Sequence, residues 1–131
     1  MVYSDFPLIL CVDDNPEALT LHQLTLKLAG FPVTTGCGCL RALTTARKTR
    51  PAVIMLNLHC RDRDSCEVIR QLKEDRVAGH IPIILFSFGF VDDRVVSGLN
   101  EGADGYISRP ASNLPRLAEM IKSHLPEGVF I

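Results

Sequence analysis

The sequence predicts an α/β protein in which a five-stranded parallel sheet is doubly wound, with helices on both of its faces. Short apolar runs and helical patterns alternate five times along the 131 residues, and a turn signal stands at nearly every junction. Two runs, 52–58 and 81–88, are apolar almost throughout instead of alternating with polar residues. Strands covered on both faces have this composition, so both are predicted to be buried, and the first to lie at the centre of the sheet.

The first strand and helix have the clearest boundaries. The apolar run 8–12 predicts strand β1, and Asn15 is predicted to cap the N-terminus of helix α1, with Pro16 at the first helical position. Gly30 is predicted to end this helix. Between these limits, apolar residues recur at the spacing of an amphipathic helix, at Ala18, Leu21, Leu24 and Leu28.

The rest of the chain continues the alternation. The predicted helix at 92–102 is weak, because Gly98 alone costs about 1 kcal/mol relative to alanine, and it is expected to be mobile. No fixed-period repeat or low-complexity linker is present, so 1–131 is interpreted as one domain. The further strands are predicted at 32–35, 52–58, 81–88 and 105–108, and the further helices at 40–48, near 65–76, at 92–102 and around Leu114, Leu117, Ile121 and Leu125.

The composition is that of a globular domain without a marked electrostatic preference. Hydrophobic residues make up 47% of the chain and charged residues 22%. The net charge of -1 gives no global attraction to nucleic acid or anionic lipid. Because the sequence shows neither a signal peptide nor about 18 consecutive apolar residues, a cytoplasmic protein without a membrane span is expected.

The cysteines are expected to be free thiols. Their number is odd and their spacing is not that of a disulfide framework, which suits a reducing compartment. Metal or redox chemistry is a less favoured interpretation, since the spacing matches no zinc pattern. The five cysteines are Cys11, Cys37, Cys39, Cys60 and Cys66.

Polar side chains follow four of the predicted strands at the point where each strand ends. Asp13 and Asp14 follow the first strand, Asn57 ends the third, Ser87 ends the fourth, and Arg109 follows the fifth. In open α/β sheets, sites lie beyond the carboxyl ends of the strands. The sequence therefore predicts one small polar cluster built from four separate segments.

Five segments in order resemble the receiver domain of bacterial response regulators, the CheY-like family, over nearly the whole chain. The resemblance implies strand order 2-1-3-4-5 in a flavodoxin-like three-layer sandwich, and a cis peptide bond between Arg109 and Pro110. The matching segments read ILCVDDNPEAL, GFPVTT, PAVIMLNL, IPIILFS and EGADGYISRP.

The resemblance assigns roles to several positions. Asp13 and Asp14 match the acidic pair that binds a divalent metal in the family. Ser87 matches the hydroxyl that contacts the phosphoryl group, and Tyr106 matches the aromatic residue that changes rotamer on activation. An ordinary helix cap, strand-end hydroxyl and half-buried aromatic remain the simpler interpretations of these residues.

The loop after the third strand departs from the family's pattern, with Cys60, Arg61 and Asp62 and with Ser65 in the place of a glycine, and so do three positions of the predicted site. Asn57 stands at the phosphoacceptor aspartate and is not expected to be phosphorylated, because a neutral amide offers no anionic nucleophile. Arg109 stands at the lysine and is predicted to pair with the acidic residues, while Phe88 is predicted to crowd the cleft. Mg²⁺ binding is therefore expected to be weak or absent, and no other cofactor is implied.

These departures predict a receiver that acts without phosphorylation and without enzymatic activity. It would bind a protein partner or a second copy through the fourth helix, the fifth strand and the fifth helix. The chain could be a full protein or the N-terminal domain of a longer regulator, whose effector domain alone would then contact nucleic acid. Three alternatives stay open: phosphorylation of Asp13, Asp14 or Asp62, a small ligand in the cleft, or a conventional regulator in which Asn57 replaces an aspartate.

Overall fold

The computed structural model describes residues 7–89 and 93–126, and within them it shows the predicted doubly wound sheet. All strand pairs are parallel, and the order β2-β1-β3-β4-β5 confirms the expected topology. The strands are β1 Ile9–Asp13, β2 Val33–Cys37, β3 Val53–Asn57, β4 Ile83–Ser87 and β5 Gly105–Ser108. The helices are α1 Pro16–Leu28, α2 Ala42–Thr49, α3 Ser65–Glu74, α4 Asp93–Asn100 and α5 Leu114–Ser123. The predicted start of α4 at residue 92 lies outside the described residues.

The two faces of the sheet carry separate apolar clusters. All residues of β1, β3 and β4 are buried, which confirms the prediction made for β3 and β4. Alternate side chains of these strands pack against α2, α3 and α4 on one face and against α1 and α5 on the other. Among the described residues, no helix has both the length and the apolar character needed to cross a membrane.

Helix α1 begins and ends as predicted. The side chain of Asn15 accepts hydrogen bonds from the backbone N–H groups of Glu17 and Ala18, at 2.9 and 3.3 Å. Gly30 follows the helix with φ of +101°, a left-handed conformation that glycine adopts readily. The capping pattern in the sequence therefore sets the limits of this helix correctly.

The predicted apolar face of α1 is wrong. Leu21, Leu24 and Leu28 are 48%, 54% and 66% exposed. The face that packs on the sheet is shifted by one residue and includes two polar side chains, which is why apolar spacing did not reveal it. Its buried residues are Leu19, His22, Thr25 and Leu26.

The expected cis peptide bond between Arg109 and Pro110 is also wrong, because this bond is trans. The chain turns instead through a left-handed conformation of Arg109, with φ of 50°, into a short 3-10 helix at Pro110–Ser112. The trans isomer is favoured by about 0.5–1 kcal/mol even before proline, and here the positive φ provides the change of direction.

Candidate functional site

The carboxyl ends of β1 and β3 open into a cleft of about 490 Å³. Asp13 and Asn57, which end these strands, line it together with Asp14. His59, Arg61 and Phe88 complete the walls, with the first turn of α1. Ser87, Tyr106 and Arg109 do not line this cleft. The predicted cluster is thus divided into an acidic part at the cleft and a separate part around β4 and β5.

The Asp13 side chain is held by three donors of the protein itself. Its Oδ1 accepts from the backbone N–H of Asn15 at 3.1 Å, and its Oδ2 lies 2.9 Å from Nε2 of His22. The Asn57 side chain also hydrogen bonds to it. Burial alone would raise the pKa of Asp13, but the hydrogen bonds from His22, Asn15 and Asn57 lower this pKa below its ordinary value of 3.8. Asp13 is therefore a buried, ionised carboxylate.

His22 is a site residue that the sequence interpretation missed. A carboxylate can only accept, so Nε2 of His22 carries the hydrogen that joins it to Asp13. The residue is 4% exposed, and its imidazole lies against two aromatic rings. The ring centroids are 4.7 Å apart for Phe86, which is met edge-on, and 5.2 Å apart for Phe88, which is stacked. The signal that could have found His22 is its place, with Leu19 and Leu26, on the alternative face of α1.

Asn57 uses both ends of its amide. Its Oδ1 accepts from the backbone N–H of His59 at 2.9 Å. This fixes the NH₂ group as the end that donates to Asp13, an interaction that lowers the pKa of that carboxyl. An ionised aspartate at position 57 could not donate, so the amide fits this environment better than the family's usual carboxylate.

The loop after β3 is tied to the cleft and to the end of the strand. Asp14 accepts from the backbone N–H of Arg61 at 2.6 Å. At the start of α3, Oγ of the buried Ser65 lies 3.0 and 2.8 Å from the carbonyl oxygens of Asn57 and Leu58. Ser65 stands where the family usually has a glycine. Its hydroxyl group holds the start of α3 to the end of β3 through these two hydrogen bonds.

Ser87 and Tyr106 form a pair of their own. Ser87 ends β4 and Tyr106 lies within the neighbouring strand β5, and their two hydroxyl oxygens are 2.5 Å apart. Ser87 is fully buried and Tyr106 is half-buried against the core cluster of Leu85 and its neighbours. The hydroxyl that matches the family's phosphoryl contact is therefore engaged by the residue that matches the switch aromatic.

Arg109 does not pair with the acidic residues, contrary to the prediction. Its Nε donates to the carbonyl oxygen of Phe88 at 3.3 Å, and no ion pair joins it to Asp13 or Asp14 within the described ranges. The left-handed backbone at Arg109 directs the chain differently, and His22 from α1 already hydrogen bonds to Asp13. The Phe88 ring does line the cleft, although it is 44% exposed.

The expectation of five free thiols is wrong for one pair. Cys39 and Cys60 form a disulfide across 21 residues of sequence, while Cys11, Cys37 and Cys66 are free. The two cysteines follow β2 and β3, the strands on either side of β1, so their loops meet above the end of β1. Sequence spacing could not show this, because it does not contain the strand order.

The cleft is acidic but poorly suited to Mg²⁺, which demands nearly octahedral oxygen ligands. Asp13 is occupied by protein donors, and the only amide oxygen of Asn57 accepts from His59. Asp14 remains half-buried at the wall. The residues present fit a cleft held in shape by internal hydrogen bonds better than a metal site.

Known proteins resemble this chain over most of its length. Residues 9–122 match the family described as response regulator receiver domain. The polar-differentiation response regulator DivK of Brucella anthropi is 32% identical over 123 residues, which are 92% of this chain and 97% of the relative. The transcriptional regulatory protein PrrA of Mycobacterium leprae is 35% identical over 105 residues, which are 79% of this chain and 44% of that protein. The chemotaxis protein CheY4 of Vibrio cholerae shares the fold, with a TM-score of 0.79 at 23% identity, covering 92% of this chain and 99% of that one.

Proposed function

Because this chain belongs to the response regulator receiver domain family, we propose that it is an atypical receiver that works without phosphorylation of residue 57. Its role would be that of a protein-interaction or dimerisation module in two-component-type signalling. One observation carries the proposal: Asp13 is held inside the protein by His22, Asn15 and the amide of Asn57. The residues that would bind the metal and accept the phosphoryl group are thus bonded to each other.

The chemistry of position 57 supports this proposal. Transfer of a phosphoryl group to a side chain needs an oxygen nucleophile, and a neutral carboxamide does not provide one. The amide of Asn57 also has a structural role, because it links Asp13 to the backbone of His59. Asn57 is therefore proposed as a native structural residue rather than a replaced aspartate.

The electrostatics of the cleft support weak or absent metal binding. A divalent cation would have to compete with His22 for a buried carboxylate, and breaking that contact leaves the imidazole without its partner. The Asn57 oxygen offers no negative charge. No Mg²⁺-dependent step and no enzymatic activity are therefore part of the proposed function.

The state of the protein is proposed to be fixed rather than switched. Ser87 and Tyr106 are hydrogen bonded to each other, so the hydroxyl of Ser87 is not available to a phosphoryl group without breaking that bond. Because Ser87 is fully buried, loss of its partner would leave a polar group unsatisfied. This contact supports a single resting position for the Tyr106 ring.

The face formed by α4, β5 and α5 is the proposed contact surface for a protein partner or a second copy. Val96 and Leu99 on α4 are 57% and 41% exposed, and Tyr106 on β5 is half-buried nearby in the fold. Exposed apolar side chains rimmed by charged ones are typical of contact surfaces. Such a module would act in the cytoplasm and contact nucleic acid only through an attached effector domain.

A second candidate is favoured by the open cleft. A volume of about 490 Å³ is lined by acidic and basic groups, so a small ligand could bind there and do the switching. A phosphoryl group on Asp14 or Asp13 is the related alternative. Asp62 is less suited, since its carboxylate accepts from the backbone N–H groups of Cys39 and Leu40.

Incubation with acetyl phosphate and Mg²⁺, followed by intact mass measurement, tests the proposed function. We expect no adduct on the wild-type chain. A stoichiometric gain of one phosphoryl group would overturn the proposal, and comparison of Asp14→Asn with Asp13→Asn would then locate the acceptor.

Sedimentation equilibrium tests the contact surface separately. If the chain self-associates through α4, Val96→Glu and Leu99→Glu should weaken the association. Leu24→Glu on the exposed side of α1 is the matched control, since it places the same charge at a similarly exposed leucine. Equal loss in all three variants would argue against the α4 face.

A further inference from the structure

We propose that Cys39 and Cys60 form a reversible redox site, oxidised by peroxides, whose state sets the rigidity of the acidic cleft. The two residues are joined in the structure, with their Cα atoms 6.3 Å apart. This separation lies within the range that disulfides span without backbone movement. The redox chemistry itself is independent of the proposed function, whereas its regulatory consequence rests on it.

The fold brings the two cysteines together through its strand order. Cys39 begins a short 3-10 helix directly after β2, and Cys60 lies in the loop after β3. Because β2 and β3 both pair with β1, the segments that leave them converge above Asp13 at the end of β1. The pairing follows from the topology and needs no special local sequence.

Asp62 holds the same two segments together by hydrogen bonds. Its carboxylate oxygens accept from the backbone N–H groups of Cys39 and Leu40, each at 3.2 Å. These contacts do not involve sulfur, so they can persist when the cysteines are reduced. The thiols would then remain close to each other, which is the arrangement that a reversible pair needs.

The cysteine pair lies between two contacts to the acidic residues. The backbone N–H of Gly38, next to Cys39, donates to the carbonyl oxygen of Asp13 at 2.8 Å. The backbone N–H of Arg61, next to Cys60, donates to Asp14 at 2.6 Å. A disulfide between Cys39 and Cys60 restricts the motion of the adjacent Gly38 and Arg61 amides together. Oxidation would therefore make the backbone around the cleft more rigid.

Two of the remaining cysteines, Cys11 and Cys66, are less suited to this chemistry. Burial and the nearby Asp13 raise the pKa of the Cys11 thiol far above its usual range. Burial together with the Asp64 and Glu101 carboxylates raises the pKa of Cys66. Cys37 is exposed and free. Because the thiolate is the reactive form, Cys11 and Cys66 should react slowly, and Cys37 is the control that measures non-selective oxidation.

The reaction is a balanced two-electron oxidation. Cys60 is the more accessible of the pair, since Cys39 is 1% exposed, so its thiolate attacks the peroxide O–O bond. Cys60 becomes a sulfenic acid and the peroxide leaves as an alcohol or as water. The Cys39 thiol then attacks the sulfenic sulfur, forming the S–S bond and releasing water. A dithiol reductant reverses the reaction by thiol–disulfide exchange.

Thiol counting on the whole chain tests the proposal. The chain is reduced, freed of reductant, treated with a small excess of hydrogen peroxide and alkylated under denaturing conditions. The reduced chain should take five alkyl groups and the oxidised chain three, with a Cys39–Cys60 peptide link. Cys60→Ser should abolish the loss, whereas Cys37→Ser and Cys66→Ser, which each have four cysteines, should lose two reactive thiols as the wild type does.

Amide hydrogen exchange measures how oxidation of the cysteine pair changes the rigidity of the backbone around the cleft. The amides of Gly38 and Arg61 should exchange more slowly in the oxidised than in the reduced chain, and equally in both preparations of Cys60→Ser. Unchanged exchange would overturn the regulatory part. If the chain keeps five reactive thiols after peroxide treatment, the proposed redox site is wrong. It is also wrong if Zn²⁺ binds the reduced Cys39 and Cys60 together with Asp62 and prevents their oxidation. None of these readouts depends on phosphodonor chemistry, so their failure is distinct from failure of the proposed function.

Discussion

Nε2 of His22 lies 2.9 Å from Oδ2 of Asp13, and the two side chains are 5% and 1% exposed. The basic partner of the acidic residue thus comes from helix α1, whereas the sequence pattern placed it at Arg109 after β5. The His22 ring also lies against the rings of Phe86 and Phe88. An ionised carboxylate in this position depends on its hydrogen-bond donors, because burial by itself disfavours the charge.

Replacing His22 by alanine should lower the free energy of unfolding by about 2–4 kcal/mol, because it leaves a buried carboxylate with one donor fewer. Chemical denaturation at neutral pH measures this loss. A double-mutant cycle with Asp13→Ala should give an interaction energy of at least about 1 kcal/mol. Additive losses in the cycle would show that the two side chains do not stabilise each other.

Asn57→Asp should destabilise the protein by about 1–3 kcal/mol at neutral pH, because a second carboxylate would face Asp13 where an amide now donates. Asn57→Ala is the matched control, since it removes the donor without adding a charge, and it should cost less. The aspartate variant should also fail to form a stoichiometric adduct with acetyl phosphate. Efficient phosphorylation of this variant would mean that Asn57 is the only residue that prevents phosphoryl transfer to this site.

Acidification should remove stability that Asp75 contributes. The hydrogen bond from the Arg47 side chain, with that from the Ala78 amide, lowers the pKa of Asp75 from 3.8 to about 2. Since the pKa is lower in the folded state, this contribution is present above about pH 4 and is lost as the pH falls toward 2. Thermal unfolding between pH 5 and pH 2 should be less pH-dependent in Asp75→Asn than in the wild type. Identical pH profiles of the two proteins would show that Asp75 does not contribute to the acid sensitivity of the fold.

The two sides of α1 should respond differently to truncation. Leu26→Ala should cost about 2–5 kcal/mol, because the side chain is 2% exposed and its removal leaves a cavity. Leu24→Ala should change stability by no more than about 0.5 kcal/mol, because that side chain is 54% exposed. Denaturant midpoints of the two variants measure the difference. Similar losses of stability in the two variants would mean that the face predicted from apolar spacing is buried after all.

Much of the fold could be predicted from local patterns. The alternation of apolar runs and helical segments gave the α/β class, and the Asn15 cap and Gly30 gave the limits of α1. These features are determined by neighbouring residues, since a cap bonds to backbone groups two or three positions away. The resemblance to receivers gave the strand order, which the structure confirms.

The face that α1 presents to the sheet could not be predicted in the same way. Leu21, Leu24 and Leu28 have the spacing of a buried stripe, yet the buried side contains His22 and Thr25. Both polar side chains are satisfied internally, His22 by Asp13 and Thr25 by the carbonyl oxygen of Leu21 at 2.8 Å. Apolar periodicity cannot reveal a buried polar residue whose partner lies on another element.

By itself, the sequence determined the class of fold, the segments that form it, and the presence of an amide where the family has an aspartate. Only the tertiary structure decided that His22 hydrogen bonds to Asp13, that Arg109 contacts Phe88 instead, and that two cysteines with a sequence separation of 21 meet. The physical reason is the same in each case. Capping and periodicity act between residues close in the chain, whereas the pairing of charges, thiols and hydrogen-bonding groups depends on which strands lie side by side and on how each helix is rotated against the sheet.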